Sequence, residues 1–271
     1  MTVMDPTVSA LPVPEVRVSI RKGLSHTLTM AYRSLLKVRR TPEQWGDVVL
    51  QPIIFTVMFA YLFGGAIAGS VDSYLPLLIP GILVQSVITT SVVTGVQLRE
   101  DMDKGVFDRL RTLPIARIAP LSGALLADTL RYVIATTMTF LVGFAIGYRP
   151  AGGIPGVIAG GLLVIVCAWA ISWIFALLGV MARNSATVQA LSFLVLFPLT
   201  FLSNAFVPIA TMPGWLATFA TINPVTHLVT AVRALTSGVV ATGDVAIALG
   251  GAAVIVLIFA PLTVRAYMRR A

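Results

Sequence analysis

Residues 150–182 read PAGGIPGVIAGGLLVIVCAWAISWIFALLGVMA, a stretch without a single Asp, Glu, Lys or Arg. Arg149 and Arg183 bound it on either side. A helix that crosses the roughly 30 Å hydrocarbon core of a bilayer needs about 20 consecutive apolar residues. The stretch is long enough for one crossing with connecting residues, and it predicts a transmembrane helix.

The composition of the whole chain supports this interpretation. Of the 271 residues, 57% are hydrophobic and only 11% are charged, and the mean hydropathy is +0.93. About a quarter of the residues in an average soluble domain are charged. A soluble fold of this size would expose more apolar surface than it could bury, whereas a bilayer accepts apolar surface on every side. Soluble enzymes, disordered chains and fibrous proteins are therefore excluded.

Charged residues delimit four further apolar segments, and one more crossing fits within the uncharged stretch 184–232. The sequence therefore predicts an all-α membrane protein with six transmembrane helices. In order along the chain, and together with the segment within 150–182, these predicted spans are 48–71, 73–98, 120–148, 188–207 and 245–264.

The positions of the basic residues predict the orientation. Most of the 19 Lys and Arg residues lie before the first span, between the second and third spans, or after the last span. Only Arg149 and Arg233 lie in segments on the other side. The positive-inside rule then places both termini in the cytoplasm of a multi-pass cell-membrane protein. The net charge of +8 indicates topology and contact with anionic lipid headgroups, and no nucleic acid is expected as a partner.

The N-terminal region divides into two parts. Residues 1–18 contain several prolines and predict a disordered lead. In residues 19–44, Ile20, Leu24 and Leu28 begin an apolar stripe at helical spacing, with basic residues largely off the stripe. This pattern predicts an amphipathic helix in the cytoplasmic interface of the membrane, although a solvated linker helix remains an alternative. The six-helix domain follows over residues 45–271.

The segment 99–117 reads REDMDKGVFDRLRTLPIAR and mixes charges with an apolar stripe at helical spacing. A simple connector needs only solubility, so the stripe predicts a short helix that docks into a groove of another protein. The alternative is a helix that packs on its own membrane domain. The stripe consists of Met102, Val106, Phe107, Leu110 and Leu113, and the helix is expected to end before Pro114.

The segment 208–238 is too apolar for a solvated loop, yet Pro213, Gly214 and Pro224 prevent one straight crossing. Irregular backbone at membrane depth must be buried in protein or line a wet cavity. We therefore predict two short helices that enter the outer leaflet as a re-entrant segment. Arg233 is expected to face the exterior or a helix C-terminus.

A few polar residues lie inside apolar segments and are candidates for a transport pathway or a dimer interface. Asp128 and Arg131 are spaced to face each other on one helix, and snorkelling could keep both near the membrane interface. A local pair and a substrate or interface role both remain open. His227 is expected to be a packing histidine, since no second ligand lies near it in sequence, with a proton relay or a ligand as the alternative. The remaining candidates are Gln85, Asn204 and Asn223.

Several blocks of the sequence resemble the ABC-2 family of ATP-binding-cassette exporter permeases, and within it the daunorubicin and doxorubicin resistance permeases. The blocks include YLFGGAIAGS at 61–70, KGVFDRLRTLPI at 104–115 and NPVTHLVTAVRAL at 223–235. The resemblance implies the type V exporter transmembrane domain, with segment 99–117 as its cytoplasmic coupling helix. It assigns ATPase coupling to Glu100, Asp103, Gly105, Phe107, Arg109, Leu110, Leu113 and Pro114.

By this resemblance the chain is a permease subunit that moves amphipathic drugs or lipids out of the cytoplasm or inner leaflet. The chain contains no GxxxxGK[ST] motif, so it is not expected to be an enzyme, and two copies of a separate ATPase subunit would hold ATP and Mg²⁺. A second permease chain, most simply an identical one, is expected as well. No cofactor is expected in this chain, and the lone Cys167 excludes a multi-cysteine metal site. An ion-coupled secondary transporter of hydrophobic compounds is the alternative, with Asp128 as its sole ionisable candidate.

Overall fold

The structure is a computed structural model that describes residues 27–32, 46–106, 109, 118–239 and 242–270. The predicted disordered lead, most of the amphipathic helix and residues 110–117 lie outside the described residues. Within the described part of the chain the regular structure is helical, with no strand.

The helices follow one another with short connections. A π-helical turn, Gly46–Leu50, precedes α1, and a short 3₁₀ turn, Ile209–Thr211, follows α5. The α-helices are α1 (Gln51–Ala68), α2 (Val71–Asp103), α3 (Ala119–Ile146), α4 (Gly153–Met181), α5 (Ser185–Phe201), α6 (Gly214–Ile222), α7 (Pro224–Thr236) and α8 (Thr242–Arg270).

Five of these helices are long and apolar enough to cross a membrane: α1 with its preceding turn, α2, α3, α4 and α8.

The helix α5 is not among these five, because it is apolar but has only 17 residues. It ends at Phe201, before the predicted end at residue 207. The hydroxyl of Ser203 donates to the carbonyl oxygen of Thr200, 2.6 Å away, and accepts from the amide of Ala205. Such local bonds compete with the helical ladder, and the chain turns instead. For the described residues the predicted all-helical membrane architecture is confirmed with five candidate spans, and the sixth crossing stays a prediction.

The second helix, α2, forms the centre of the bundle. It packs against α1, α3, α4, α5 and α7. Most of the apolar stretch of α2 is buried inside the protein, whereas almost none of the apolar stretch of α8 is buried. The outer helices therefore expose large apolar side chains, for example Leu194 and Leu257. A surface of this kind suits lipid tails.

Two glycines bring the backbones of α2 and α4 into direct contact. A Cβ on Gly95 would overlap the carbonyl oxygen of Phe175 and lie 2.8 Å from the carbonyl carbon of the same residue. A Cβ on Gly179 would likewise overlap the carbonyl oxygen of Gly95. Small residues at a membrane helix crossing allow such close approach.

Residues 27–32 are helical and lie against the start of α3. A Cβ on Gly123 would come 2.5 Å from the Cβ of Met30, and the hydroxyl oxygens of Thr27 and Ser122 are 3.1 Å apart. Tyr32 points away from the protein and is 64% exposed. This short segment thus has one side against α3 and one exposed side, and an amphipathic helix over residues 19–44 stays a prediction.

Candidate functional site

The buried ion pair of Asp128 and Arg131 lies on α3 in the interior of the bundle. Arg131 Nη1 donates to Asp128 Oδ1 over 2.6 Å. The hydroxyl of Thr94, on α2, donates to the other carboxylate oxygen over 2.5 Å. The predicted i,i+3 pairing is present. The expectation of snorkelling is wrong, because the two charged side chains are only 2% and 3% exposed and do not reach the surface.

A second polar group, which we call the Arg233 cluster, joins α2, α7 and the turn after α5. Arg233 Nη2 donates to the carbonyl oxygens of Leu77 and Asn204, over 3.0 and 3.1 Å. Arg233 lies in the last turn of its own helix, α7, as one of the two predicted environments required. Its guanidinium, however, binds carbonyl groups of two neighbouring segments. Among the described residues no carboxylate lies within ion-pair distance of it. The charge is therefore held by backbone dipoles.

The turn after α5 also rests directly on α2. Tyr74 Oη donates to the carbonyl oxygen of Phe206 over 2.8 Å. A Cβ on Gly81 would overlap the carbonyl oxygen of Ala205. Sequence reasoning did not single out Tyr74 or the Gly81 contact, since neither partner is visible from spacing along the chain.

Asn204 and Asn223 connect α5 to α7. Asn204 Nδ2 donates to the hydroxyl of Thr230 over 2.8 Å. Asn223 caps the N-terminus of α7 by accepting from the amide of Val225, and its Nδ2 donates to the carbonyl oxygen of Leu199 over 2.8 Å. Both asparagines are buried. In this conformation they bind neighbouring helices, and a pathway role for them remains a prediction.

Gln85 is buried on α2, one turn beyond Gly81, and its Oε1 has no hydrogen-bond partner in the described structure. An unsatisfied buried polar atom costs about 1–3 kcal/mol. Contact of Gln85 with cargo or with a second chain therefore stays a prediction, since its Oε1 is free to accept a hydrogen bond.

His227 has a carboxylate neighbour that the sequence did not reveal. Its Nδ1 lies 3.5 Å from Oδ1 of Asp244, in the first turn of α8. The prediction that His227 has no second potential ligand nearby is therefore wrong, because the fold brings Asp244 next to it. The described residues contain no group of three potential metal ligands, so the pair does not extend to a metal site.

The predicted coupling segment begins as a continuation of α2. The helix runs on through Glu100 to Asp103, and Glu100 pairs with Lys104 over 3.4 Å. Gly105 then adopts a φ of +62°, which suits glycine and ends the helix. The amide of Arg109 donates to the carbonyl oxygen of Gly105 over 3.3 Å, as in a new helical turn. Phe107, Leu110, Leu113 and Pro114 lie outside the described residues.

Comparisons with known proteins agree with this architecture. The model of the ABC-2 type transporter family matches residues 25–236. A daunorubicin resistance ABC transporter permease protein from Streptomyces coeruleorubidus is 45% identical over 248 residues, which cover 92% of this chain and 88% of the relative. A probable doxorubicin resistance ABC transporter permease protein from Mycobacterium tuberculosis is 26% identical, over 76% and 77%. A putative transport permease from Cyanophora paradoxa is 26% identical, over 79% and 75%.

Proposed function

Since the chain belongs to the ABC-2 type transporter family, we propose that it is the permease subunit of an ATP-driven exporter of amphipathic drugs or lipids. The observation that carries the proposal is the 45% identity to a daunorubicin resistance permease over nearly the whole of both chains. The membrane helices and the segment that continues α2 support it. Such cargo would leave the cytoplasm or the inner leaflet.

The energy source is proposed to be a separate ATPase. The sequence holds no phosphate-binding loop, so ATP and Mg²⁺ would be bound by two copies of the partner subunit. A second permease chain, identical to this one, would complete the transport domain. The ion-coupled alternative finds less support, because its candidate carboxylate, Asp128, is already paired with Arg131.

The proposed topology has α1 to α5 and α8 crossing the membrane, with α6 and α7 re-entrant from the outside. Both termini and residues 99–117 lie in the cytoplasm, as the basic residues indicate. A reporter at residues 99–117 or at the C-terminus that proved to be external would contradict this arrangement.

Transport by the complex provides the direct test. Inside-out vesicles that contain the chain and its ATPase should accumulate doxorubicin when ATP is supplied. Vesicles without the ATPase should not. Accumulation driven by a proton or sodium gradient in the absence of ATP would instead support the secondary transporter.

Docking of the ATPase is expected to depend on the apolar stripe of the coupling segment. Truncating Phe107, Leu110 and Leu113 together to Ala removes apolar contacts worth roughly 1 kcal/mol or more each if they are buried in the partner. Co-purification of the ATPase should fall at least tenfold, while membrane insertion persists. The matched control truncates three exposed leucines of α8, Leu249, Leu257 and Leu262, and should leave association intact. Normal association of the first variant would indicate a helix that packs on its own membrane domain.

A further inference from the structure

The end of α4 is capped by arginines from two other helices. A helix leaves its last carbonyl groups without intrahelical partners, and cations are favoured near this negative end of the helix dipole. Arg99 Nη1, from α2, donates to the carbonyl oxygen of Ala182 over 3.0 Å. Arg270 Nη1, from the end of α8, donates to that of Val180 over 2.6 Å. Three helices are thus joined at one end of the bundle.

Arg99 is fixed in this position by its own helix. Its Nε donates to Asp103 Oδ1 over 2.9 Å, and its Nη2 contacts the same oxygen. The side chain is only 15% exposed. A planar guanidinium held by a carboxylate on one side offers its remaining donors in a set direction. Asp103 therefore aims Arg99 at the end of α4.

The direct backbone contact of α2 and α4 lies one turn before this cap. Gly95 precedes Arg99 by one helical turn, and its partner Gly179 precedes Ala182 by nearly the same distance along α4. The glycines allow the two helices to pack in close backbone contact, and the Arg99 bond ties the end of α4 to α2. We call this arrangement the Arg99 joint.

This joint lies at the start of the coupling segment, residues 99–117. The chain leaves α2 at Asp103, only one turn beyond Arg99, and turns at Gly105 into the rest of that segment. A displacement that the ATPase imposes on the segment therefore reaches the end of α2 that carries the Arg99 bond.

From α4 the contacts continue to the opposite end of the bundle. The amide of Gly152 donates to the carbonyl oxygen of Thr236 over 2.8 Å. A Cβ on Gly156 would overlap the carbonyl oxygen of Leu235. The end of α7 thus rests on the start of α4, and α7 carries Arg233. The helix α4 thus contacts α2 near its last turn and α7 near its first turn.

We propose that Arg99 is a positioning residue, which transmits movement of the coupling segment to α4 by holding the end of α4 to α2. The inference rests on the proposed function. It assigns Arg99 to the conversion of ATP hydrolysis into transport and not to ATPase docking.

The test compares Arg99 with a cation outside the coupling segment. Arg99→Gln removes the bond to Ala182, whereas the control, Arg265→Gln, removes an exposed cation of α8. Doxorubicin transported per ATP hydrolysed is measured in vesicles that contain the full complex. We expect this ratio to fall about tenfold in Arg99→Gln, with normal ATPase association, and to stay unchanged in Arg265→Gln. Arg99→Lys, which can still reach one carbonyl oxygen, should recover part of the ratio.

An unchanged ratio in Arg99→Gln would overturn the inference and leave the proposed function standing. If Arg99→Gln does not reach the membrane, Asp103→Asn loosens the same guanidinium without removing it and should lower the ratio by a smaller factor; no change there would also overturn the inference.

Hydrogen exchange separates a failure of this inference from a failure of the proposed function. In the wild-type complex, amide exchange at residues 178–184 should change when nucleotide is added, and Arg99→Gln should abolish that change. This holds whichever cargo is moved. A nucleotide response that is absent from the wild type, or that persists in Arg99→Gln, would contradict the role of Arg99.

Discussion

Asp128→Ala is expected to prevent accumulation of the folded protein in the membrane. The substitution removes the carboxylate that pairs with the buried Arg131 and that accepts from the Thr94 hydroxyl. Breaking one side of a buried ion pair costs about 3–5 kcal/mol, a large part of the stability of a typical domain. Protein level and melting temperature in detergent provide the measurement.

Asp72→Ala is the matched control for this loss. Asp72 is an exposed carboxylate in the first turn of α2, where it interacts with the helix dipole. Its removal should cost about 0.3–1 kcal/mol. Equal protein levels and melting temperatures for the two variants would contradict the importance of the buried pair.

A charge exchange separates a local pair from a functional one. Asp128→Arg with Arg131→Asp restores opposite charges at the same spacing, and the Thr94 hydroxyl can accept from a guanidinium as well as donate to a carboxylate. We expect a partial return of protein level and of transport. A restored level with transport still absent would show that each residue has its own partner outside this chain, either cargo or a second copy.

The membrane helices were accessible to sequence reasoning because charge and length set them. A long uncharged segment can satisfy its backbone in a bilayer only as a helix, so the limits of α1, α3 and α4 follow closely from flanking charges. The second helix, α2, instead continues beyond the predicted end at residue 98, through the charged residues to Asp103. The pair of Asp128 and Arg131 was predictable for a similar reason, since i,i+3 residues adjoin on any helix. The two short helices α6 and α7 follow from Pro213 and Pro224.

The contacts between helices could not be predicted from charge and segment length. Thr94 lies 34 residues from Asp128, and no periodicity indicates which face of α3 meets which face of α2. The same holds for Asp244 beside His227 and for Arg99 beside Ala182, which depend on how helices cross. The early end of α5 depends on the hydroxyl of Ser203, a local competition that hydropathy does not register.

Gly81→Ala is the other substitution for which we expect a large effect, because both sides of its contact are backbone. The new Cβ would overlap the carbonyl oxygen of Ala205 and lie 2.9 Å from its Cα, and neither atom can rotate away. The turn after α5 must move off α2, which lengthens the bonds from Tyr74 to Phe206 and from Arg233 to Asn204.

Overpacking of this kind costs about 1–3 kcal/mol, so the melting temperature of the purified protein should fall, and transport should fall with it. Gly65→Ala on α1 is the matched control, since a Cβ there meets nothing within 4 Å. Alanine favours a helix interior by about 1 kcal/mol over glycine, so this control should be neutral or slightly stabilised. If Gly81→Ala melts no lower than Gly65→Ala, the turn after α5 does not rest on α2, and the Arg233 cluster does not hold the three segments together.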